Sequence, residues 1–361
     1  MRGFLLGFLA LAWPACGATI PVTTSAELNA AMAKAASGDV IALAPGRYDG
    51  FAFKPPTAAF VPAVTITSAD PARPAVLTDF SLARFTGLHF RQVELQALPP
   101  AVPNTWAFKI AKAGDVAFDR VHVHGSLDGD AANDAYGLSL REIAGVSVTR
   151  SEFQQLGRAL ALGTGTDVEV SGNYAHDLRS DAFDFADVQR VRITANVVRN
   201  IRAVAPDHPD AIQFWTSGTT RPSTDILIGG NVLLRGEGQG TQGIFLRDQV
   251  GTLPYERVTI TDNLLVGTGY NGIRIQGVRG LTLTRNELVT QVEDKDPVTG
   301  KLLYTNILVQ GGDGIVSRDN RAYLIGFDKP LNLQQSGDVI TKPVSDLGAA
   351  ALARWIANRS R

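Results

Sequence analysis

Asp181, Asp184 and Asp210 stand close to one another in the chain, each at the start of a short apolar stretch, and His208 lies two residues before Asp210 in the segment Pro206-Asp207-His208-Pro209-Asp210. Carboxyl groups brought close together cannot all stay ionised without help, so either a cation neutralises them or one keeps its proton and can act as an acid. Arg247 and Arg274 follow on later stretches of the same form and supply guanidinium groups for that charge. His208 adds an imidazole that can take or give a proton near neutral pH. Trp215 and Phe245 offer flat apolar faces, which suit an amphipathic ligand such as a sugar ring. Gln213, Gln242 and Gln276 place amides at the neighbouring positions. Taken singly, each has a plainer role: an aspartate before a strand often bonds its own turn, and an arginine can simply be solvated. Their convergence depends on elements that bring them to one surface.

Those elements are repeats. A short stretch of a small residue followed by alternating apolar and variable residues recurs as Ala107–Ala111, Gly137–Arg141, Ala159–Gly163, Ala182–Ala186, Ala211–Trp215, Gly243–Arg247, Gly272–Gln276 and Asn306–Gln310. Each is followed by a second short stretch of alternating pattern, and six of these units carry an asparagine at a matching point, Asn173, Asn196, Asn231, Asn263, Asn286 and Asn320. From Leu138 onward the steps between units are 22, 23, 29, 32, 29 and 34 residues. Period-two alternation predicts strands with one side buried, and a unit this small buries that side only by stacking on its neighbours. Asparagine at a turn tolerates a left-handed backbone, and its amide can bond the asparagine of the next coil. Asn-Gly hairpin signals between adjacent strands are nearly absent, which argues against an antiparallel sandwich.

Stacking turns sequence equivalents into columns about 4.8 Å apart. One outward column holds Asp184, Gln213, Phe245 and Arg274, and the next holds Trp215, Arg247 and Gln276. The residues just before the strands include Arg158, Asp181, Asp210 and Gln242. The small residues Ala161 and Gly163 leave a hollow beside the acidic group. The predicted signature is Ile212, Ile244, Ile273 and Ile307 in one interior column.

This grammar resembles the right-handed parallel β-helix of the pectin-lyase-like superfamily over roughly residues 36–340. The expected fold is therefore all-β, a solenoid with a short N-terminal capping helix over 24–36 and a C-terminal helix over 346–358. Thr24 and Glu27 form a possible capping box for the first helix. Leu347, Ala351, Leu352, Trp355 and Ile356 make an apolar face on the second, expected to plug the last coil. A narrower resemblance is to polygalacturonases, whose N-T-D, D-D, G-H-G and R-I-K motifs are matched here at Asp181, Asp210 and Arg274. The first aspartate of the D-D pair is Pro209, the histidine is Gln242 and the lysine is Gln276. Pectate-lyase-like enzymes on the same fold hold calcium on wall aspartates. That resemblance implies Asp181, Asp184 and Asp210 as the calcium ligands, with Arg247, Arg274 or His208 as neutraliser and base. Alginate epimerases carry a D-P-H-D motif, and Asp207-His208-Pro209-Asp210 has its composition in another order.

The amino-terminal segment 1–18, a basic start followed by the apolar run from Gly3 to Trp13 and small residues through Ala18, predicts an export signal. The remainder, 19–361, is expected to form a single domain, periplasmic or extracellular, with no membrane span. A net charge of −1 argues against a nonspecific nucleic-acid binder, and one cysteine excludes a disulfide framework. The function these features imply is a lyase that cleaves a uronic-acid-containing polysaccharide by β-elimination. The alternatives are a glycoside hydrolase using Asp181 and Asp210, a uronate C5-epimerase, or a non-catalytic glycan-binding solenoid.

Overall fold

A computed structural model describes residues 17–359 apart from 205–206, 239–240, 270 and 297–298. The expected leader, 1–18, lies outside the described residues but for its last two positions.

The described chain winds into two long parallel sheets, one of 17 strands and one of 12, in which each strand pairs with its counterparts in the coils before and after. The register follows the repeat. Ile212 pairs with Ile244, Ile244 with Ile273 and Ile273 with Ile307, all fully buried, so the interior column exists as predicted. Phe183 and Leu160 continue it toward the amino end. One core runs from Val22 and Leu28 at the amino end to Ile315 and Ala322 near the other. No single coil has an inside of its own, so the apolar residues of each coil are buried only by its neighbours.

Asn173, Asn196, Asn231, Asn263, Asn286 and Asn320 form a buried ladder at one corner. Each side-chain amide up to Asn286 donates to the Oδ1 of the asparagine one coil on and to a strand carbonyl, as Asn231 does to Asn263 and Ile193, both at 2.9 Å, and Asn320 ends the ladder on Asp338 Oδ1 at 3.0 Å. The left-handed backbone at this corner belongs to the preceding residue (Gly172, Ala195, Gly230, Asp262, Arg285 and Asp319), contrary to the expectation for asparagine itself. The reason is division of labour: the corner residue turns the chain, which leaves the asparagine in a conformation that aims its amide along the stack.

Helix α1 (Ser25–Lys34) covers the amino end, with Leu28 and Met32 buried against the first coil. The Thr24 side chain accepts from the Glu27 N–H, while the Glu27 carboxylate reaches one residue further back than in a standard capping box, to the N–H and hydroxyl of Thr23. Helix α2 (Ala349–Arg359) does not plug the last coil. It lies on the flank against the strands Leu264–Val266 and Glu287–Val289. There Ala351 and Trp355 cover an outward apolar patch of Val232, Leu264, Val266 and Val289, and the Trp355 indole donates to the Asp262 carbonyl at 2.8 Å. The outer face of the smaller sheet turns apolar at these coils, and that patch needs cover. The last coil keeps Leu331 and Ile340 exposed.

Candidate functional site

The site lies on the outer face of the larger sheet. Asp184 pairs in register with Ala161 on one side and Gln213 on the other; Ala186 pairs with Gly163 and Trp215. Strict alternation points Asp184 outward, yet it is fully buried, because Arg158 and its acidic neighbours close over it. Asp181 and Asp210 occupy the bend before the strands of adjacent coils, where the Ala182 N–H donates to the Asp210 carbonyl at 3.1 Å.

Arg158 organises the group. Its guanidinium lies 3.0 Å from Asp181 Oδ2 and 3.2 Å from Asp184 Oδ2, and it packs over the Tyr136 ring with 5.4 Å to the centroid. Asp181 spends its other oxygen on the backbone N–H of Asp210 at 2.8 Å. Asp210 Oδ2 accepts from the Gln213 amide at 2.6 Å. Asp184 Oδ1 and Asp210 Oδ1 are buried without a hydrogen-bond partner. Burial, and then the charge of Asp181, hold the carboxyls of Asp184 and Asp210 well above the ordinary aspartate range. Burial also raises Asp181, against the opposing pull of Arg158 and of the Asp210 N–H. One guanidinium cannot balance three buried carboxylates. Proton affinity is therefore raised across the group, most strongly at Asp184 and Asp210.

Beside Asp184 opens a cavity of about 440 Å³. Ala161, Gly163 and Ala186 line it where larger side chains would fill it, so the hollow expected from sequence is present. Trp215 and Trp106 contribute indole surface, and Arg141, Glu142 and Arg158 add charge. Trp215 is half-buried rather than core.

The structure does not gather every residue singled out from sequence. His208 is exposed and lines a second cavity of about 500 Å³ with Asp207, Gln242, Arg235 and Lys295. Arg247 is exposed beyond Trp215 in its column, and Arg274 is in register with Phe245 and donates to Gln310 at 3.2 Å. Gln276 donates to the same Gln310 oxygen, and Gln242 accepts from Asn271. The cation that touches the carboxylates is therefore Arg158, not Arg247 or Arg274. Arg158 stands in the same column as Asp181, one coil earlier, so the alignment of the repeats already contained it. The same holds for Tyr136. Arg179 was not visible that way: it bonds Asp207 at 3.0 Å, Asn104 at 2.7 Å and the Tyr136 hydroxyl at 3.3 Å, joining loops far apart in the chain. As for calcium, both Asp181 oxygens are already engaged and a guanidinium stands where a cation would bridge Asp181 to Asp184. The donor set does not fit a calcium ion unless Arg158 moves away.

No protein-family model and no curated protein sequence matches the chain. Solved structures do. PL6 family alginate lyase AlyGC superposes with a TM-score of 0.56 at 12% identity over 91% of this chain, which spans 52% of that protein. A mannuronic acid specific polysaccharide family 6 lyase from human gut microbiota gives 0.52 at 13% identity, covering 91% of this chain and 81% of that one. DFA-IIIase from Arthrobacter chlorophenolicus A6 gives 0.55 at 12% identity, covering 90% and 86%. The chain thus spans about half of the first of these proteins and most of the other two. At such identities the likeness is one of fold alone, and that fold is the right-handed parallel β-helix.

Proposed function

We propose that the chain is a polysaccharide-active enzyme, most simply a lyase that cleaves a uronate-containing polymer by β-elimination. The observation that carries this reading is a buried aspartate of raised proton affinity, Asp184, at the side of a cavity that also holds Arg141, Arg158 and the Trp215 indole. The guanidiniums suit a substrate carboxylate, whose negative charge grows as the adjacent C5 proton leaves. A carboxyl group titrating above the ordinary range is matched, in its ionised form, to taking that proton. In the elimination the C5–H and C4–O bonds break and a C4=C5 double bond forms. The proton held by Asp184 then passes to the departing oxygen. Trp215 and Trp106 provide faces for the sugar rings on either side. The alginate lyases among the fold's relatives support this substrate class. Export, expected from the leader-like segment, would bring the enzyme to such a polymer.

A second reading is hydrolysis, favoured by three close carboxyls of raised proton affinity: Asp184 or Asp210 in its protonated form would protonate the leaving oxygen. The test is a panel of uronate-containing and neutral polysaccharides, read in parallel for far-ultraviolet absorbance and for reducing ends, with and without chelator. New absorbance with new reducing ends supports elimination. Reducing ends without absorbance support hydrolysis. Inversion at C5 without cleavage would indicate an epimerase, and retention of a glycan without any product would indicate a binding protein. Loss of activity on chelation, restored by calcium, would bring back the calcium set of Asp181, Asp184 and Asp210.

A further inference from the structure

A second group with its own chemistry lies on the smaller sheet, away from the carboxylate site. In the strand His122–His124 the two-residue period places both imidazoles on the outer face, while Val123 points into the core and is fully buried. Glu94 is in register with His122 on the preceding coil and reaches diagonally to His124, with Oε1 2.7 Å from Nε2. The two rings lie with centroids 4.6 Å apart. One nitrogen of each ring and one Glu94 oxygen fall within 4.8 Å of one another.

The contacts of His124 fix the direction of its ring. Its Nδ1 lies 2.7 Å from the Gly125 carbonyl, which can only accept, so Nδ1 carries the proton. That leaves Nε2 facing the Glu94 carboxylate oxygen. A histidine that donates one N–H to a backbone carbonyl while its other nitrogen faces a carboxylate is oriented as metal-bound histidines are. Gln154 Oε1, 3.1 Å from His122 Nε2, adds an oxygen beside the group.

We propose that Glu94, His122 and His124 bind a divalent transition-metal ion, with zinc as the type case. Two imidazoles and a carboxylate are a ligand set for zinc or its neighbours and not for calcium. In a tetrahedral shell the ligand atoms stand roughly 3.3 Å apart, so the Glu94 carboxylate, on a partly exposed side chain, moves outward slightly as the ion enters. The ion ties two successive coils together on the face opposite their shared core. His176 is the internal contrast. Its nitrogens face Asp177 at 2.6 Å and Glu152 at 2.9 Å, with Tyr174 rather than a second imidazole beside it.

The experiment uses the untagged, chelator-stripped full chain, titrated with zinc chloride by calorimetry and followed by thermal unfolding, with calcium chloride as the control cation. The expected result is one zinc per chain, with a dissociation constant at or below the micromolar range, a higher Tm with zinc, and neither effect with calcium. Glu94→Gln keeps the shape of the side chain and should weaken zinc binding at least tenfold, His122→Ala should abolish it, and His176→Ala should leave it unchanged. The chain has only five histidines, so adventitious sites are few. Absence of saturable zinc uptake would make His124 and Glu94 a plain proton-bridged pair and overturn the proposal. So would affinity that Glu94→Gln and His122→Ala leave intact, or that His176→Ala removes equally.

Discussion

The backbone N–H of Asp210 donates to Oδ1 of Asp181 at 2.8 Å, joining the bends of two adjacent coils. With Oδ2 on Arg158, Asp181 is the strut of the site, and its charge adds to burial in raising the proton affinity of Asp184 and Asp210. Asp181→Asn should keep the fold and cut kcat at least about a hundredfold, as loss of a charge-stabilising group does. Asp181→Leu should in addition strand the Asp210 N–H and destabilise the chain by about 1–3 kcal/mol. Steady-state kinetics and urea unfolding of both variants separate the two roles, and near-normal kcat in Asp181→Asn would move the chemistry elsewhere on the helix.

The proton on Asp184 should be visible in stability. Its folded pKa is raised, so as pH climbs from the ordinary aspartate range toward the raised folded value the unfolded chain releases the proton while the folded chain retains it. The unfolded state then binds fewer protons, and stability falls with rising pH across that window. Asp184→Asn removes this contribution. We expect the variant to be at least as stable as the wild type at neutral pH, to lose that relative advantage toward about pH 4, and to be inactive. Denaturation at several pH values checks this, and a variant less stable than wild type only at neutral pH would mean that Asp184 is ionised in the folded protein.

Arg158 carries the opposite sign. Its guanidinium is held above its ordinary pKa by Asp181 and Asp184, although burial works against this. Removing it leaves buried carboxyls unneutralised. With about a third of the side chain exposed, Arg158→Gln should cost about 2–3 kcal/mol near neutral pH. The loss should shrink on acidification as the carboxyls protonate. Any residual activity should show its acidic limb shifted to higher pH. A flat difference between variant and wild type across pH would contradict this charge balance.

Trp215→Ala tests substrate grip. The side chain is half-buried and lines the cavity, so its removal should raise KM with little change in kcat and leave the melting transition in place. A collapse of the thermal transition would show it to be part of the fold's support.

The asparagine ladder tests the architecture. Asn263→Ala removes donors to Ile228 and Asn286 and orphans the amide of Asn231, all in buried surroundings. Each group left unsatisfied costs about 1–3 kcal/mol, so the midpoint of urea unfolding should fall sharply. The same substitution at exposed Asn332 should do little.

The stacked strands, the interior isoleucine column, the asparagine ladder and the outward columns were legible in the chain, because in a stacked repeat position within the unit dictates position in space. The hollow at Ala161 and Gly163 was legible for the same reason, since small side chains in a column leave room wherever the backbone runs. The asparagine corner was read one residue out of place: alternation identifies a turn but does not say which of its residues takes the left-handed conformation.

What the repeat grammar left open was every relationship that crosses its columns. Arg158 was visible as a neighbour of Asp181, yet its reach to Asp184 depends on side-chain direction and on the cation–π contact with Tyr136. Arg179 joins Asn104, Tyr136 and Asp207 through loops whose paths follow no period. Helix α2 was placed by an apolar patch on the outside of distant coils, which appears only once those coils are stacked. His122 and His124 meet Glu94 only because the register sets its strand beside theirs. Local alternation is encoded by neighbours in sequence and could be read from them. Burial, proton affinity and ligand grouping depend on which residues meet across coils and loops, and only the tertiary structure decides that.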